Sequence, residues 1–272
     1  MSHPPRTSDS GTPVFDALRD LLRQEVPAAL ATIVDGPDIG AKLLIRPDAP
    51  PLGTLGNPDL DRVVGRDARA ELDAGLTAIR RYGPRGEAGE ETVRVFIESF
   101  APSPRMIIFG AVDFTAALAK AGKLLGFRVT VCDARAAFAT VARFPTADEV
   151  RIEWPDRYLA EVGDSLGPRD VVCVLTHDPK FDIPAIVAAL QTHVGYIGAM
   201  GSRRTHAARV EHLREAGVDD AGLARIMAPI GLDIGARTPE ETAIAICAEI
   251  IAVRTGRTGI ASLRDREGPI HA

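Results

Sequence analysis

A loop at residues 176–182 carries several ionisable side chains in one short segment, Thr-His-Asp-Pro-Lys-Phe-Asp. It follows the apolar run 171–176, which predicts a buried strand. Ligands of open α/β sheets bind at the carboxyl edge of the strands. His177, Asp178 and Lys180 therefore offer an acid, a base and a cation where a ligand would lie.

Turn chemistry is the alternative explanation of the same loop. Asp178 stands before a proline, a pair that commonly starts a turn. Asp182 is a candidate N-cap for a helix predicted over residues 183–190. The sequence leaves both explanations open.

A second loop reads Gly-Ala-Met-Gly-Ser-Arg-Arg-Thr over residues 198–205, again after an apolar run. Ser202 is placed to cap a helix that begins at Arg203. Cations in a first helical turn oppose the helix dipole, so Arg203 and Arg204 suggest a ligand or partner there. Free N–H groups after Gly201 and Ser202, together with the two arginines, predict an anion site suited to a phosphate. A solvated basic first turn is the alternative.

The turn after the first strand of the C-terminal half resembles a dinucleotide-binding loop only in part. Gly110 fits the first glycine of Gly-x-Gly-x-x-Gly/Ala, but Val112 occupies the second glycine position. Asp113 places negative charge where a pyrophosphate would bind. Asp133 stands near the end of the next strand, where a ribose-binding acid is expected. We expect a Rossmann-shaped scaffold without a nucleotide, and NAD(P) binding is disfavoured.

A fourth segment covers residues 229–241 and contains a capping box, Thr238-Pro-Glu-Glu241, with proline at the first helical position. The interpretation of this box is structural. Asp233 lies between two glycines just before it, in a loop that could border the same ligand cleft. The helix predicted over residues 236–254 buries a core face, formed by Ala243, Ile246, Cys247 and Ile250.

The elements around these loops alternate between strands and helices, which indicates a parallel sheet covered on both faces. The predicted strands cover residues 106–109, 127–132, 150–154, 171–176 and 194–200, and the helices cover 113–125, 183–190, 203–216 and 236–254. The N-terminal part predicts helices at 14–22 and 60–82, strands at 28–34, 41–45 and 92–98, and a loop at 52–58.

The predicted fold class is α/β, with a Rossmann-like parallel-sheet domain at the C-terminus and a smaller N-terminal α+β domain. The domains predicted from the composition are a disordered tail at 1–13, a small domain at 14–101, the Rossmann-like domain at 104–260 and a tail at 261–272.

The bulk composition excludes several classes of function. The net charge of −5 argues against nucleic-acid binding. No apolar run approaches a membrane span, and no signal-peptide core follows the N-terminus, so we expect a cytoplasmic protein. The three cysteines lie in apolar runs without metal-ligand spacing, and the six histidines are scattered. We expect no metal site and no nucleophilic triad.

Taken together, the motifs resemble the XdhC/CoxI family over residues 104–260. In order they are Ile108-Phe-Gly-Ala, Leu124-Leu-Gly-Phe-Arg-Val-Thr-Val, Arg143-Phe-Pro, Leu175-Thr-His-Asp-Pro-Lys, Ile197-Gly-Ala-Met-Gly-Ser-Arg-Arg-Thr and Ile230-Gly-Leu-Asp-Ile-Gly-Ala-Arg-Thr-Pro-Glu-Glu. The N-terminal part is similar in Ala28-Ala-Leu-Ala-Thr, Gly40-Ala-Lys-Leu-Leu-Ile and Gly53-Thr-Leu-Gly.

The resemblance implies a non-catalytic accessory role more than a reaction. Members of the family bind the molybdenum cofactor, support its sulfuration and deliver it to molybdenum hydroxylases of the xanthine dehydrogenase or carbon monoxide dehydrogenase type. The implied partners are the large subunit of such a hydroxylase and a second copy of the chain in a homodimer. The implied cofactor contacts are Gly110, Asp133, His177, Asp178, Lys180, Gly201, Ser202, Arg203, Arg204 and Asp233.

The chain departs from the family pattern in loops that the resemblance places near the cofactor. The family's Gly-Ala-Gly-His-Val-Ala turn is changed at Val112, Asp113 and Thr115. Asn57-Pro58 replaces a Gly-Gly pair, and Asp59 replaces a cysteine found in many members. Two alternatives stand beside the accessory role. The topology of the first strand and Asp133 motivates an NAD(P)-dependent oxidoreductase, and the altered loops motivate a non-catalytic regulatory paralogue that acts through protein contacts.

Overall fold

A computed structural model describes residues 13–47, 49–87, 89 and 91–265 of the chain. The chain divides into two compact units, Met1–Pro102 and Ser103–Ala272. This division falls in the Pro102-Ser-Pro104 segment. The predicted disordered tail lies outside the described residues except for Pro13, which begins a helix. In the predicted C-terminal tail a short 3₁₀ turn forms at Leu263–Asp265, and residues 266–272 lie outside the described part.

The first unit is an antiparallel sheet with a helix on each face. Its strands are β1 (Ala28–Asp35), β2 (Lys42–Arg46), β3 (Ala49–Thr54), β4 (Ala78–Tyr82) and β5 (Val93–Phe100), in the spatial order β3-β2-β1-β5-β4. Successive side chains of β1 point to opposite faces of the sheet, so the strand contributes to a core on each face. Ala29, Ala31 and Ile33 belong to the same core cluster as α2 (Pro58–Ala74), whereas Ala28 and Leu30 pack with α1 (Pro13–Arg23).

Two sequence predictions for this unit were wrong. The helix predicted over residues 60–82 stops at Ala74, because Gly75 adopts a left-handed conformation (φ +66°) that caps it. The chain then returns as the edge strand β4, which pairs with β5. The segment predicted as a loop at 52–58 belongs in part to β3, whose prolines are tolerated at a sheet edge.

The second unit confirms the predicted α/β class with a six-stranded parallel sheet. Its strands are β6 (Arg105–Phe109), β7 (Arg128–Cys132), β8 (Glu149–Arg151), β9 (Val171–Val174), β10 (Tyr196–Ala199) and β11 (Ile226–Met227), in the order β11-β10-β9-β6-β7-β8. The chain moves outward from β6 in one direction through β7 and β8, and in the other through β9 to β11. The strand order therefore reverses between β6 and β9.

Helices cover both faces of this sheet, in two core clusters. One cluster joins α3 (Asp113–Leu124) and α8 (Pro239–Arg254) to the strands. The other joins α4 (Pro155–Val162), α5 (Pro179–Leu190) and α6 (Arg203–Glu215), with α7 (Asp220–Ala224) at its margin. All four residues of β9 are buried, as expected for a central parallel strand covered on both sides.

Several details of this unit differ from the sequence prediction. The strand predicted over 150–154 ends at Arg151, because Trp154 is the N-cap residue of α4 and Pro155 its first helical position. Helices α4 and α7 and strand β11 were not predicted. The predicted core face of α8 is confirmed, since Ala243, Ile246, Cys247 and Ile250 are all buried.

All three cysteines are buried and unpaired. In the described part of the chain, no helix is long and apolar enough to cross a bilayer. Within the same residues, no three His, Cys, Asp or Glu side chains are grouped as metal ligands.

Candidate functional site

A crevice is expected where the strand order reverses, between the loops that leave β6 and β9. The two loops touch at their bases. Gly110 has φ +110°, and a Cβ placed on it would lie 2.7 Å from the Cγ2 of Thr176. This close approach explains the glycine that the sequence shares with dinucleotide-binding turns.

The Gly110 turn uses its own N–H groups internally. The Ala111 N–H donates to Asp133 Oδ2 at 2.8 Å, and the Val112 N–H donates to Thr115 Oγ1 at 3.3 Å. The Thr115 hydroxyl in turn donates to the carbonyl of Gly110. A dinucleotide fold presents such N–H groups to the pyrophosphate, so this loop offers a phosphate few free donors.

Asp133, predicted at the position of a ribose-binding acid, is saturated by the protein itself. Its Oδ1 accepts from the Arg135 N–H and Nε, both at 2.9 Å, and its Oδ2 accepts from Arg135 Nη2 at 2.7 Å besides Ala111. Burial alone would raise the pKa of Asp133, but the hydrogen bonds from Arg135 and Ala111 lower it below the usual value. A carboxylate accepts about four such bonds, so Asp133 has no capacity left for ribose hydroxyls.

A row of cations and aromatic rings continues from Arg135 along this edge of the sheet. The Arg135 guanidinium lies 4.7 Å from the ring centre of Phe138 and 5.7 Å from that of Phe181. Phe181 stacks on Trp154 with 4.9 Å between the ring centres. Lys180 lies 5.1 Å above the Trp154 ring. Lys180 is thus engaged with an aromatic ring, a contact that sequence reasoning missed.

The loop after β9 begins a helix earlier than predicted. Asp178 is the N-cap of α5 and accepts from the Lys180 N–H at 3.0 Å. The prediction that Asp182 caps this helix was wrong. Asp182 lies inside α5 and is buried, with Oδ2 2.8 Å from Arg209 Nη2 and Oδ1 bonded to the Thr176 hydroxyl. Burial raises the pKa of Asp182, and these two partners oppose that effect.

The loop after β10 has the predicted cap. Ser202 Oγ accepts from the Thr205 N–H at 3.1 Å, at the start of α6. Arg203 and Arg204 are exposed, and neither side chain forms a hydrogen bond or ion pair with any residue that the structure describes. Gly201 has φ +144°, and a Cβ there would lie 3.2 Å from the Thr205 side chain.

The buried side chain of Arg209 connects the segment after β9 with the segment after β10. Besides the ion pair with Asp182, its Nη2 donates to the carbonyl of Met200 at 2.7 Å. The loop after β9 and the loop after β10 are therefore tied through one buried guanidinium. Its partner Asp182 lies 27 positions away in the sequence, so the tie was not visible there.

The start of α5 and the first three turns of α6 line a small cavity of about 70 Å³. Its wall contains Pro179, Ile183, Thr205 and Ala208 together with the ionisable residues His177, Asp182, Arg209 and His212. His177 is exposed on its other side. The cavity thus brings His177 near Thr205, the residue whose N–H is capped by Ser202, whereas Arg203 and Arg204 are not among the residues of its wall.

Asp233 lies in the loop before α8, where it is exposed and forms no ion pair with a described residue. This loop is anchored nearby, because the Gly231 N–H donates to Glu249 Oε2 at 2.9 Å and the Tyr196 hydroxyl bonds the same oxygen. The Thr238–Glu241 capping box forms as predicted. Among the described residues, no hydrogen bond or ion pair connects the Asp233 side chain to the other candidates.

In the first unit, the departures from the family pattern have a local structural role. Asn57 Oδ1 accepts from the Asp59 N–H at 2.9 Å and from the Leu60 N–H at 3.3 Å, with Pro58 at the first helical position. Asp61 accepts from Thr54 Oγ1 at 2.8 Å. These residues start α2, so the segment is a well-capped helix entry.

Two family models match the chain. The model described as the XdhC Rossmann domain matches residues 106–250, and the model described as the XdhC and CoxI family matches residues 21–83. A crystal structure described as a xanthine dehydrogenase from Bacillus halodurans aligns with a TM-score of 0.54 at 21% identity, and covers 93% of this chain and 98% of that one. At this identity the likeness shows the fold.

Three relatives are similar to this chain over part of their length. The uncharacterized protein YqeB of Escherichia coli is 29% identical over 264 residues, which are 90% of this chain and 47% of that protein. A Bacillus subtilis protein, named as a probable xanthine dehydrogenase subunit, is 34% identical over 165 residues, 61% of this chain and 47% of that one. The molybdenum cofactor insertion chaperone PaoD of Escherichia coli is 32% identical over 99 residues, 36% of this chain and 31% of PaoD.

Each of these alignments spans less than half of the relative's own length. The Rossmann-domain model, in contrast, matches more than half of this chain, and the second model matches most of its first unit. The motif series, the parallel sheet and both matches lead to one assignment: the chain belongs to the XdhC and CoxI family.

Proposed function

We propose that the chain is a non-catalytic accessory factor for the maturation of a molybdenum hydroxylase of the xanthine dehydrogenase or carbon monoxide dehydrogenase type. It binds the molybdenum cofactor and aids its sulfuration or its insertion into the large subunit of the hydroxylase. The names of two relatives support this role, one a molybdenum cofactor insertion chaperone and the other a probable xanthine dehydrogenase subunit.

The observation that carries the proposal is the pair of unpaired cations at the start of α6. Arg203 and Arg204 lie in the first turn of α6, at the positive end of the helix dipole, where each cation costs about 0.3–1 kcal/mol. No described carboxylate offsets that cost, whereas a bound anion would. The cofactor's phosphate fits this turn, because the two guanidinium groups and the N–H groups after Gly201 and Ser202 are the donors that phosphates prefer.

Three of the predicted cofactor contacts already have partners within the protein. Asp178 is used as a helix cap, Lys180 contacts Trp154, and Asp133 is saturated by Arg135 and Ala111. These residues support the shape of the loops. We propose direct contacts for the other group, which is Gly201, Ser202, Arg203, Arg204 and His177, while Gly110 permits the close approach of the loops. A contact with Asp233 remains part of the proposal and rests on the family resemblance alone.

The test is anaerobic loading with released molybdenum cofactor, followed by desalting and measurement of oxidised-pterin fluorescence. We expect the wild-type chain to retain the cofactor and the double variant Arg203→Ala, Arg204→Ala to lose at least tenfold in retention. The matched control is Arg254→Ala, Arg257→Ala, which removes the same charge from two exposed arginines, one the last residue of α8 and the other three residues beyond it.

The outcomes separate the alternatives. Equal retention by both double variants would remove the site assignment. No retention by wild type would favour a paralogue that acts through protein contacts. The NAD(P)-dependent alternative has little support, since the Gly110 turn and Asp133 direct their polar groups inward. A homodimer, a cytoplasmic location and delivery to the hydroxylase are further parts of the proposal, testable by light scattering, cell fractionation and co-purification.

A further inference from the structure

Helix α8 carries apolar residues on its outer side as well as on its core side. Its core side packs into the second unit, but Ile244 and Ile251 on the outer side are 54% and 39% exposed. With Ala248 between them they recur at spacings of four and three residues, which places all three on one face. A surface helix normally presents polar residues to solvent, and a helix that is apolar all round is normally covered. The outer face of α8 therefore indicates a partner.

The charges of α8 show what kind of partner fits. Glu240 lies one turn before the outer face, and Arg254 lies just after it, followed by Arg257, so opposite charges stand at the two ends. None of these three side chains forms an ion pair or hydrogen bond with a residue that the structure describes. The other carboxylates of the helix, Glu241 and Glu249, already accept hydrogen bonds within the chain. The outer face thus has a free acid at one end and free cations at the other.

An antiparallel pair of α8 helices about a two-fold axis satisfies both the apolar face and the charges. A two-fold interface joins the same surface of both copies, so that each contact occurs twice. With the axis near Ala248, Ile244 of each copy faces Ile251 of the other. Glu240 of each copy then faces the end of the other helix that carries Arg254. The small side chain of Ala248 lets the two helices approach closely at the axis.

From this geometry we infer that α8 is the homodimer interface of this protein, with its outer face packed antiparallel against the same face of a second copy. The inference deepens the homodimer part of the proposed function and rests on it, but it does not rest on cofactor binding. Ile234, Ile260 and Leu263 flank α8 in the sequence, are each more than half exposed, and are available to extend the contact. A single pair of helices is small beside the roughly 800 Å² per partner of a standard interface, so we expect a micromolar dissociation constant.

The test is sedimentation velocity of the full chain over a concentration series, with variants that exchange the charges at the ends of the interface. Glu240→Arg leaves only cations at each contact, and Arg254→Glu with Arg257→Glu leaves only acids. Each variant alone should dimerise roughly tenfold more weakly than wild type, because every substitution acts twice in a symmetric dimer. An equimolar mixture of the two should recover the wild-type affinity, since the mixed dimer has opposite charges at both contacts.

A substitution within the apolar face tests the packing itself. Ile244→Glu should weaken the dimer by roughly tenfold or more, because it places a charge in the contact. The matched control is Ile152→Glu, at an isoleucine after β8 that is 57% exposed, and it should leave the dissociation constant unchanged.

The outcomes separate the interface from the rest of the proposed function. A wild-type dimer that Ile244→Glu weakens no more than Ile152→Glu, or a charge-swapped mixture that stays monomeric, would overturn the interface while the homodimer stands. A wild-type chain that is monomeric at every concentration would overturn both. Cofactor retention is scored separately on the same preparations, because all the donors proposed for the phosphate lie on one chain.

Discussion

Replacing Arg209 with methionine isolates the buried tie between the two loops. The side chains of Arg209 and Asp182 are only 3% and 4% exposed, and 2.8 Å separates the paired atoms. Methionine keeps much of the volume but leaves the Asp182 carboxylate buried without its cation. Breaking a buried ion pair from one side costs about 3–5 kcal/mol. We expect the free energy of unfolding of Arg209→Met to fall by that amount.

A second substitution distinguishes charge from packing. In the double variant Arg209→Met, Asp182→Asn, neither member of the buried ion pair carries a charge. Its unfolding free energy should exceed that of Arg209→Met by about 2 kcal/mol, although Asp182→Asn alone is destabilising. It should not return to the wild-type value, because the Met200 carbonyl has lost a donor, a defect that costs about 1–3 kcal/mol.

The assay is urea unfolding followed by tryptophan fluorescence. The chain has one tryptophan, Trp154, and it lies in the unit Ser103–Ala272, so the signal reports on the unit that contains the ion pair. The matched control is Arg214→Met on the same helix. Arg214 pairs with Asp220 at 3.0 Å, but their side chains are 61% and 89% exposed, and we expect a loss of at most about 1 kcal/mol.

Two results would refute this reasoning. One is an Arg209→Met variant as stable as Arg214→Met, which would mean that solvent reaches the buried pair. The other is a double variant no more stable than Arg209→Met, which would mean that lost packing, and not the uncompensated charge, sets the cost.

Three further predictions concern a glycine in a tight turn, a buried carboxylate and the binding of nicotinamide nucleotides. Gly110→Ala should lower the free energy of unfolding by about 1–3 kcal/mol, because its Cβ would lie 2.7 Å from Thr176. Gly126→Ala should lower it by about 1 kcal/mol, because Gly126 also has a positive φ (+82°) but no atom lies within 4 Å of its Cβ position. Equal losses of unfolding free energy in urea curves would contradict this difference. Because the pKa of Asp133 is lowered in the folded protein, its carboxylate stabilises the fold above a pH of about 4, and this contribution is lost as the pH falls further. Asp133→Asn should therefore reduce the dependence of the free energy of unfolding on pH in acid, and an unchanged dependence would argue against this role. Titration calorimetry with NAD⁺ and NADPH should show no saturable heat up to about 1 mM, the upper end of usual enzyme affinities; saturation would restore the oxidoreductase alternative.

The sequence predicts best those features whose cause is local. Helix α6 is predicted correctly because Ser202 and the following turn carry their own signal, and the Thr238–Glu241 box does the same for α8. The parallel sheet follows from the alternation of apolar runs and helical patterns. In all these cases the relevant residues lie within a few positions of one another.

The errors have non-local causes. Strand β4 has a helical pattern in the sequence, but its partner β5 decides its conformation through pairing. Asp182 resembles a helix cap because an aspartate before an apolar helical run is typical of that position. Its true partner, Arg209, lies 27 residues later and cannot be identified from the neighbouring sequence. For Asp133 a local signal existed, since Arg135 stands two residues later and wraps the carboxylate that a ribose would need. An arginine two residues after the acid is therefore a sequence signal against nucleotide binding at Asp133.

The strand order has a consequence for synthesis on the ribosome. The central strand β6 pairs on one side with β7, which follows soon after, and on the other with β9, which begins at Val171. Some 60 residues separate β6 from β9. At a translation rate of about 5–20 residues per second, one edge of β6 therefore remains unpaired for roughly 3–12 s until β9 has been synthesised. During that interval the unpaired backbone groups of an apolar strand are open to other chains. Production of this protein should therefore depend on translation speed and on holdase chaperones more than its final stability would suggest.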